Sequence, residues 1–205
     1  MMRVLPYGDH ALLVELPDLD AVLGLYAALR DDPPPGVVDL VPAARTLLVV
    51  LGASAADPHR VAAAVRAARP APVAGPGESR VDVPVVYDGE DLEEVAALTG
   101  LSSDEVVERH CAPEYVVGFS GFLPGFGYLL GLDPRLRLPR LPTPRVRVPA
   151  GSVAVAGDYT GVYPRSSPGG WRLLGRTDLV LFDAEREPPA LLAPTTRVRF
   201  RAVAE

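Results

Sequence analysis

The chain has 205 residues, nearly half of them hydrophobic and 22% charged, with a net charge of −6 and a single cysteine. That is a globular composition able to bury a real core in one large or two small domains. It excludes an internal disulfide, and with no block of basic residues it argues against general nucleic-acid binding, which needs a concentrated cationic face. The apolar runs are short and broken by charge or proline, so none approaches a membrane span. The opening MMRVLPYGDHALLVEL meets Pro, Gly, Asp and His too early for a signal peptide, so a cytoplasmic protein is expected.

In chain order, Val4-Leu5 and Ala11–Leu16 read as strands on either side of a Tyr7-Gly8-Asp9 turn. Asp18 is placed to cap a helix through about Leu29, whose apolar residues fall at helical spacing. Pro33-Pro34-Pro35-Gly36 ends it. Val37–Val41 and Thr46–Leu51 are two further strands, and Asp57-Pro58 starts a second helix through Ala68. The order ββαββα predicts a sheet with two helices on one face. His10 and His59 read as surface or capping residues here. The run RPAPVAGPGES, residues 69–79, is the best boundary in the chain, giving domains over 1–72 and 80–205.

Beyond it, Arg80–Tyr87 alternates as a strand with Val81, Val83 and Val85 on one face. Asp91 with Glu94 predicts a capping box for a helix over Leu92–Leu98, stopped at Gly100. Ser102 with Glu105 predicts another, for a helix to about His110. Glu114–Phe119 follows as a strand. From Gly118 to Trp171, Gly and Pro recur every few residues between apolar runs, the pattern of short strands and tight turns. Arg197-Val198-Arg199-Phe200-Arg201 reads as a charged terminal strand protected against edge pairing.

Several chemistries are excluded by residue type. All twenty basic residues are Arg, so no Walker A, Schiff-base or biotinylated lysine exists in this chain; nor is there any Asn or Gln. Gly125-Phe126-Gly127 lacks the third glycine and the βαβ setting of a dinucleotide fingerprint. Neither Ser120 nor Ser152 sits in a nucleophile elbow, and Cys111 beside His110 makes no catalytic pair, because adjacent side chains on a helix end point apart. His110 at a helix C-terminus is expected to be favoured in its protonated form. Arg145 and Arg147 share one strand face, a polar outer face by the commoner reading. Arg145 also stands among Thr143, Gly151, Ser152, Asp158, Thr160, Tyr163 and the Ser166–Trp171 turn. Such loops can present a guanidinium and backbone amides to a carboxylate or phosphate.

The segments PEYVVGFSGFLPGFGYLLGL, TPRVRVPAGSVAVAG, TGVYPRSSPGGWRLLGRTDLVLFD and GVVDLVPAARTLLVV together resemble the family of 5-oxoprolinase B subunits (PxpB), also described as KipI or allophanate hydrolase subunit 1. The resemblance spans nearly the whole chain. It implies an α+β protein in which a small N-terminal ββαββα domain precedes a cyclophilin-like β-barrel. It also implies partners, the C and A subunits of 5-oxoprolinase, in a complex that hydrolyses 5-oxo-L-proline to L-glutamate with ATP cleavage, the B and C subunits phosphorylating the lactam. ATP, with Mg2+, would belong to the complex, none being evident in this chain. By the same resemblance His110, Arg145 and Asp158 are candidate catalytic residues, with Arg145 as anion ligand and His110 for proton transfer. Glu114, Ser152, Thr160, Tyr163, Trp171 and Arg176 are candidates for substrate binding. No metal ligand is expected in this chain. Two departures stand out: the 87–91 segment is compact where relatives carry a Gly-rich insertion, and Tyr159 stands where a Gln is typical. Alternative roles are a KipI-like inhibitor of a sensor histidine kinase and a partner in urea or allophanate processing. Prolyl isomerase activity is not expected, since fold does not carry function.

Overall fold

A computed structural model describes residues 2–52, 57–70 and 79–204, and the chain divides into two compact units, Met1–Gly75 and Pro76–Glu205. Residues 71–78, most of the expected boundary segment, lie outside the described residues.

The first unit runs β1 (Arg3–Pro6), β2 (Ala11–Glu15), α1 (Leu19–Asp31), β3 (Val37–Pro42), β4 (Thr46–Leu51) and α2 (Pro58–Ala67). Its antiparallel sheet has the order β1-β2-β4-β3. Alternation decides what each strand buries: Leu12 and Val14 of β2 and Leu47, Val49 and Leu51 of β4 form one face. Val22, Leu25 and Leu29 of α1 and Val61, Ala62 and Val65 of α2 pack on that same face. Each large apolar side chain among them contributes roughly 1.5–3 kcal/mol on burial. Both helices start as the sequence predicts, with Asp18 accepting from the Ala21 amide and Asp57 from the His59 amide, each at 2.9 Å.

The second unit contains β5 (Arg80–Val85), α3 (Leu92–Thr99), α4 (Ser103–Cys111), β6 (Tyr115–Ser120), β7 (Gly127–Leu130), β8 (Arg145–Val148), β9 (Ser152–Ala156), β10 (Tyr159–Val162), β11 (Ser167–Gly169), β12 (Arg172–Arg176) and β13 (Arg197–Ala202). Seven strands follow the order β12-β9-β10-β7-β6-β13-β5, while β8 and β11 form a separate ribbon. Past the end of β5, Val86 exchanges backbone hydrogen bonds with Arg176 at 2.9 and 2.8 Å, which brings the two outer strands together as a nearly closed barrel. The expected α+β architecture, a small helix-backed sheet and then a barrel, is what the chain adopts.

Strand β9 is buried on both faces and separates two cores. Val153 and Val155 face a core shared with Val83, Val117, Leu129, Val198 and Phe200, and with Val95 of α3 and Val106 of α4. Ala154 and Ala156 face an aromatic cluster of Phe126, Tyr163 and Trp171.

Two expectations about local structure are corrected. β13 is not an edge strand: it pairs in parallel with β5 and antiparallel with β6, and its Val198 and Phe200 are buried. The arginines that alternate with them line the outer face, where Arg197 meets Glu114 at 3.3 Å and Arg201 meets Asp82 at 3.0 Å. Asp91 does not cap α3. Its side chain makes no capping bond, and Glu94 turns to Arg172 at 2.6 Å. The capping box expected at Ser102 and Glu105 does form.

Candidate functional site

The segment between β5 and α3, with the first turn of α3, carries five acids, Asp88, Glu90, Asp91, Glu93 and Glu94, and it lies along β12. Gly89 donates to the Leu174 carbonyl at 3.1 Å, and Asp91 donates to the Leu173 carbonyl at 3.1 Å. A Cβ on Gly89 would overlap the Leu173 carbonyl, so only glycine permits this approach. Three arginines meet four of these acids. Arg176 Nε reaches Asp88 at 2.8 Å, Arg172 Nη1 reaches Glu94, and Arg145 Nη2 reaches Asp91 Oδ1 at 2.7 Å. Asp91 is buried, and its other oxygen accepts the Leu173 amide at 2.7 Å. Arg145 Nε also donates to Glu90 at 3.2 Å.

One edge of the Arg145 guanidinium is therefore held by two carboxylates, which raise its pKa further. Its remaining nitrogen, Nη1, is buried and has no hydrogen-bond partner among the described residues. Arg145 opposes Gly169 in the β8–β11 ribbon, and a Cβ on Gly169 would overlap the Tyr163 hydroxyl. Burial raises the Tyr163 pKa against the opposing charges of Arg140 and Arg145, so the phenol stays protonated. Trp171 packs edge-on against Phe126 and Tyr128, with ring centroids 5.2 and 5.5 Å apart.

His110 is elsewhere. Its ring is fully buried, with Nδ1 2.7 Å from the Tyr87 hydroxyl and Nε2 2.8 Å from Thr160 Oγ1. Thr160 donates to the Ala154 carbonyl at 3.0 Å. With that proton committed, Thr160 accepts from Nε2–H and Tyr87 donates to Nδ1, the tautomer that satisfies every contact. Cys111 Sγ completes the chain 3.2 Å from the Tyr87 oxygen. The expectation of a protonated histidine is corrected: burial pushes the His110 pKa down to about 3, and burial outweighs the helix terminus.

The candidates thus fall into three groups. His110 and Thr160 are in direct contact, on the core side of β9 and β10. Arg145, Tyr163 and Trp171 gather about the β8–β11 ribbon and the aromatic cluster. The others are dispersed. Asp158 is exposed at the β9–β10 turn and pairs with Arg137 at 3.1 Å, Glu114 pairs with Arg197 at 3.3 Å, and Arg176 is tied to Asp88. Ser152 donates to the Pro149 carbonyl at 2.9 Å, while its own carbonyl accepts the Tyr163 amide at 2.9 Å. Tyr87 and Asp91 escaped the sequence reading as site residues. Tyr87 carries no local signal, and Asp91 followed by Glu94 has the same spacing as a helix cap.

The sequence profile described as carboxyltransferase domain, subdomain C and D, matches residues 2–192. The chain belongs to that family. A curated relative, the 5-oxoprolinase B subunit of Escherichia coli O157:H7, is 54% identical over 127 residues, 60% of this chain and 58% of the relative. Urea amidolyase of Saccharomyces cerevisiae is 31% identical over 122 residues, 56% of this chain but 7% of that protein. Among solved structures, TTHA0988 superposes with a TM-score of 0.81 at 39% identity, covering 100% of this chain and 41% of the longer one. This family member therefore spans less than two thirds of the length of each of these relatives. No helix among its described residues is long and apolar enough to cross a membrane.

Proposed function

We propose that this chain is the B subunit of an ATP-dependent 5-oxoprolinase, acting in the cytoplasm with the C and A subunits to convert 5-oxo-L-proline to L-glutamate. The observation that carries the reading is the 54% identity to a 5-oxoprolinase B subunit. An unstrained lactam resists hydrolysis, and phosphorylating its oxygen turns that oxygen into a leaving group. Arg145 Nη1 and the protonated Tyr163 hydroxyl are the donors we assign to the lactam oxygen or to the anion that replaces it. Trp171 and Phe126 brace Tyr163 within the aromatic cluster. His110, neutral and bonded through both nitrogens, is assigned to holding Thr160 and β10 in place rather than to proton transfer.

The acidic 88–94 segment is a poor fit for Mg2+. Asp88, Asp91 and Glu94 each already face a guanidinium, as does Glu90, so a cation there would compete with an arginine at four of the five carboxylates. Nucleotide binding is assigned to the complex.

The deciding experiment combines the purified chain with the A and C subunits and follows ATP-dependent glutamate release from 5-oxoproline. An assembled trio without activity overturns the substrate. The urea amidolyase relationship supports a second reading, a role in urea or allophanate hydrolysis, and the same trio offered those substrates separates the two. Arg145→Lys keeps a positive charge for Asp91 and loses the planar fork. Turnover of the assembled enzyme is expected to fall about tenfold, the loss of one good hydrogen bond. Unchanged kcat and KM would remove Arg145 from the site.

A further inference from the structure

Strand β8 does not present its arginines as simple alternation expects. In its antiparallel pairing with β11, Val148 stands opposite Ser167 and Arg145 opposite Gly169, so three steps along β8 match two along β11. That is a β-bulge, with the extra residue in Val146-Arg147. Residues two apart on β11 point to one face, and so do residues directly opposed across a ladder. Arg145 is therefore turned onto the face of Val148, Ser167 and Gly169, and away from Arg147. Burial follows the bulge: Val146 and Arg147 are both exposed, Val148 is buried, and only 22% of the Arg145 side chain is open. The expectation that Arg145 and Arg147 share a face is corrected.

The face that Arg145 joins looks onto the aromatic cluster. Val148 packs there with Tyr163 and Trp171, and Gly169 lies against the Tyr163 hydroxyl. Two polar atoms on this face are buried without a hydrogen-bond partner among the described residues, Arg145 Nη1 and Ser167 Oγ. The neighbouring serine gives the contrast, since Ser166 Oγ accepts from Arg147 Nε at 3.1 Å. Burying an unpaired polar group is unfavourable, so two of them on adjacent rungs of one ribbon point to a ligand that pairs both.

The chemistry of the pair narrows that ligand. Nη1 can only donate, whereas Oγ can also accept. Asp91 and Glu90 already stand against the guanidinium, so a carboxylate or phosphate would be held beside two like charges, while a neutral carbonyl would not. A donor next to an acceptor complements an amide edge on which C=O and N–H lie side by side, as they do in the cis amide of a lactam ring. The chain has no Asn or Gln, the side chains that carry both groups at once, so a hydroxyl is suited to the task.

We infer that Ser167 is a substrate-binding residue, its Oγ accepting the ring N–H while Arg145 Nη1 donates to the adjoining carbonyl oxygen, so that the pair selects a lactam over a lactone. The choice of a lactam rests on the 5-oxoprolinase reading above. Because β8 and β11 form a two-stranded ribbon outside the seven-stranded sheet, they can shift to admit the ring without breaking the barrel.

The test uses the enzyme assembled with the A and C subunits, as wild type and as Ser167→Ala. The lost hydroxyl has no partner within the described residues, so the variant folds and its urea unfolding matches the wild type. KM for 5-oxoproline is expected to rise about tenfold with kcat little changed, the loss of one hydrogen bond made by the bound substrate. The second probe is the lactone analogue 5-oxotetrahydrofuran-2-carboxylate, in which a ring oxygen replaces the N–H, measured as a competitive inhibitor. Its Ki is expected to be the same for both proteins, because it offers nothing for Ser167 to accept. An unchanged KM in an active Ser167→Ala enzyme overturns the inference and leaves the enzyme reading intact. An equal rise in KM and in the lactone Ki overturns it as well, since the hydroxyl would then serve a group common to both rings. A wild-type assembly inactive on 5-oxoproline overturns the enzyme reading and this assignment with it.

Discussion

Replacing Asp91 by Ala is expected to lower the unfolding free energy of the barrel unit by about 3 kcal/mol, the low end for breaking a buried ion pair. The carboxylate is buried and has three jobs at once: it accepts the Leu173 amide, accepts Arg145 Nη2, and fixes the 88–94 segment against β12. Truncation leaves a buried N–H of β12 without a partner and frees Arg145 to follow Glu90, which is exposed. Arg145 keeps some access to water, which is why the low end applies. A helix cap would behave differently. Asp91→Ser restores a good N-cap residue and would recover most of a capping contribution, but it cannot reach both Leu173 and Arg145. Urea unfolding of the three proteins, following the barrel transition, decides between these accounts. Ser as destabilising as Ala confirms the clasp; Ser close to wild type would return Asp91 to capping.

The same residue shows where sequence reading stops. Elements fixed by short-range physics are legible: β2 and β4 alternate, α1 and α2 begin at capping aspartates, and Ser102 with Glu105 forms its reciprocal box. Asp91 and Glu94 have the same spacing as that box, yet their carboxylates go to arginines 54 and 78 residues away. Nothing local separates the two cases, because the outcome is set by which guanidinium the barrel brings alongside. β13 fails for the same reason. Arg-Val-Arg-Phe-Arg looks like a guarded edge, and only the long-range pairing with β5 and β6 shows that it is central. In the candidate site, the resemblance selects Arg145, Tyr163, Thr160 and His110, but not which of them touch. β9 and β10 divide them between two cores, a consequence of strand order. Phe122, at a φ of +67°, gives no warning at all, since in Gly-Phe-Leu-Pro-Gly the glycines are the residues expected to take a positive φ, and Gly125 does so as well.

The second large effect concerns pH and His110. Burial lowers its pKa from 6.5 to about 3, so the folded barrel binds fewer protons than the unfolded chain between those values. A depressed pKa contributes stability that is fully present above pH 6.5 and is lost as pH falls toward 3. The slope from this one group is about 1.4 kcal/mol per pH unit. Its surroundings offer no compensation for a positive charge. Tyr87, Tyr115, Cys111, Thr160 and Phe200 face the ring, and burial raises both tyrosines so that neither supplies a phenolate. His110→Gln provides a non-titrating comparison that can still accept from Tyr87 and donate to Thr160. Urea unfolding of the barrel at about pH 7.5, 6.5, 5.5 and 4.5 should show the wild type losing about 2–3 kcal/mol more than the variant across the lower two of those units. Above about pH 7 the two curves should run parallel. Parallel curves throughout would mean that His110 takes up its proton in the folded barrel as readily as in the unfolded chain, returning it to the groups able to move a proton during catalysis. A divergence confined to the acid side fixes it as the neutral strut between α4 and β10, and leaves proton transfer to a group other than His110.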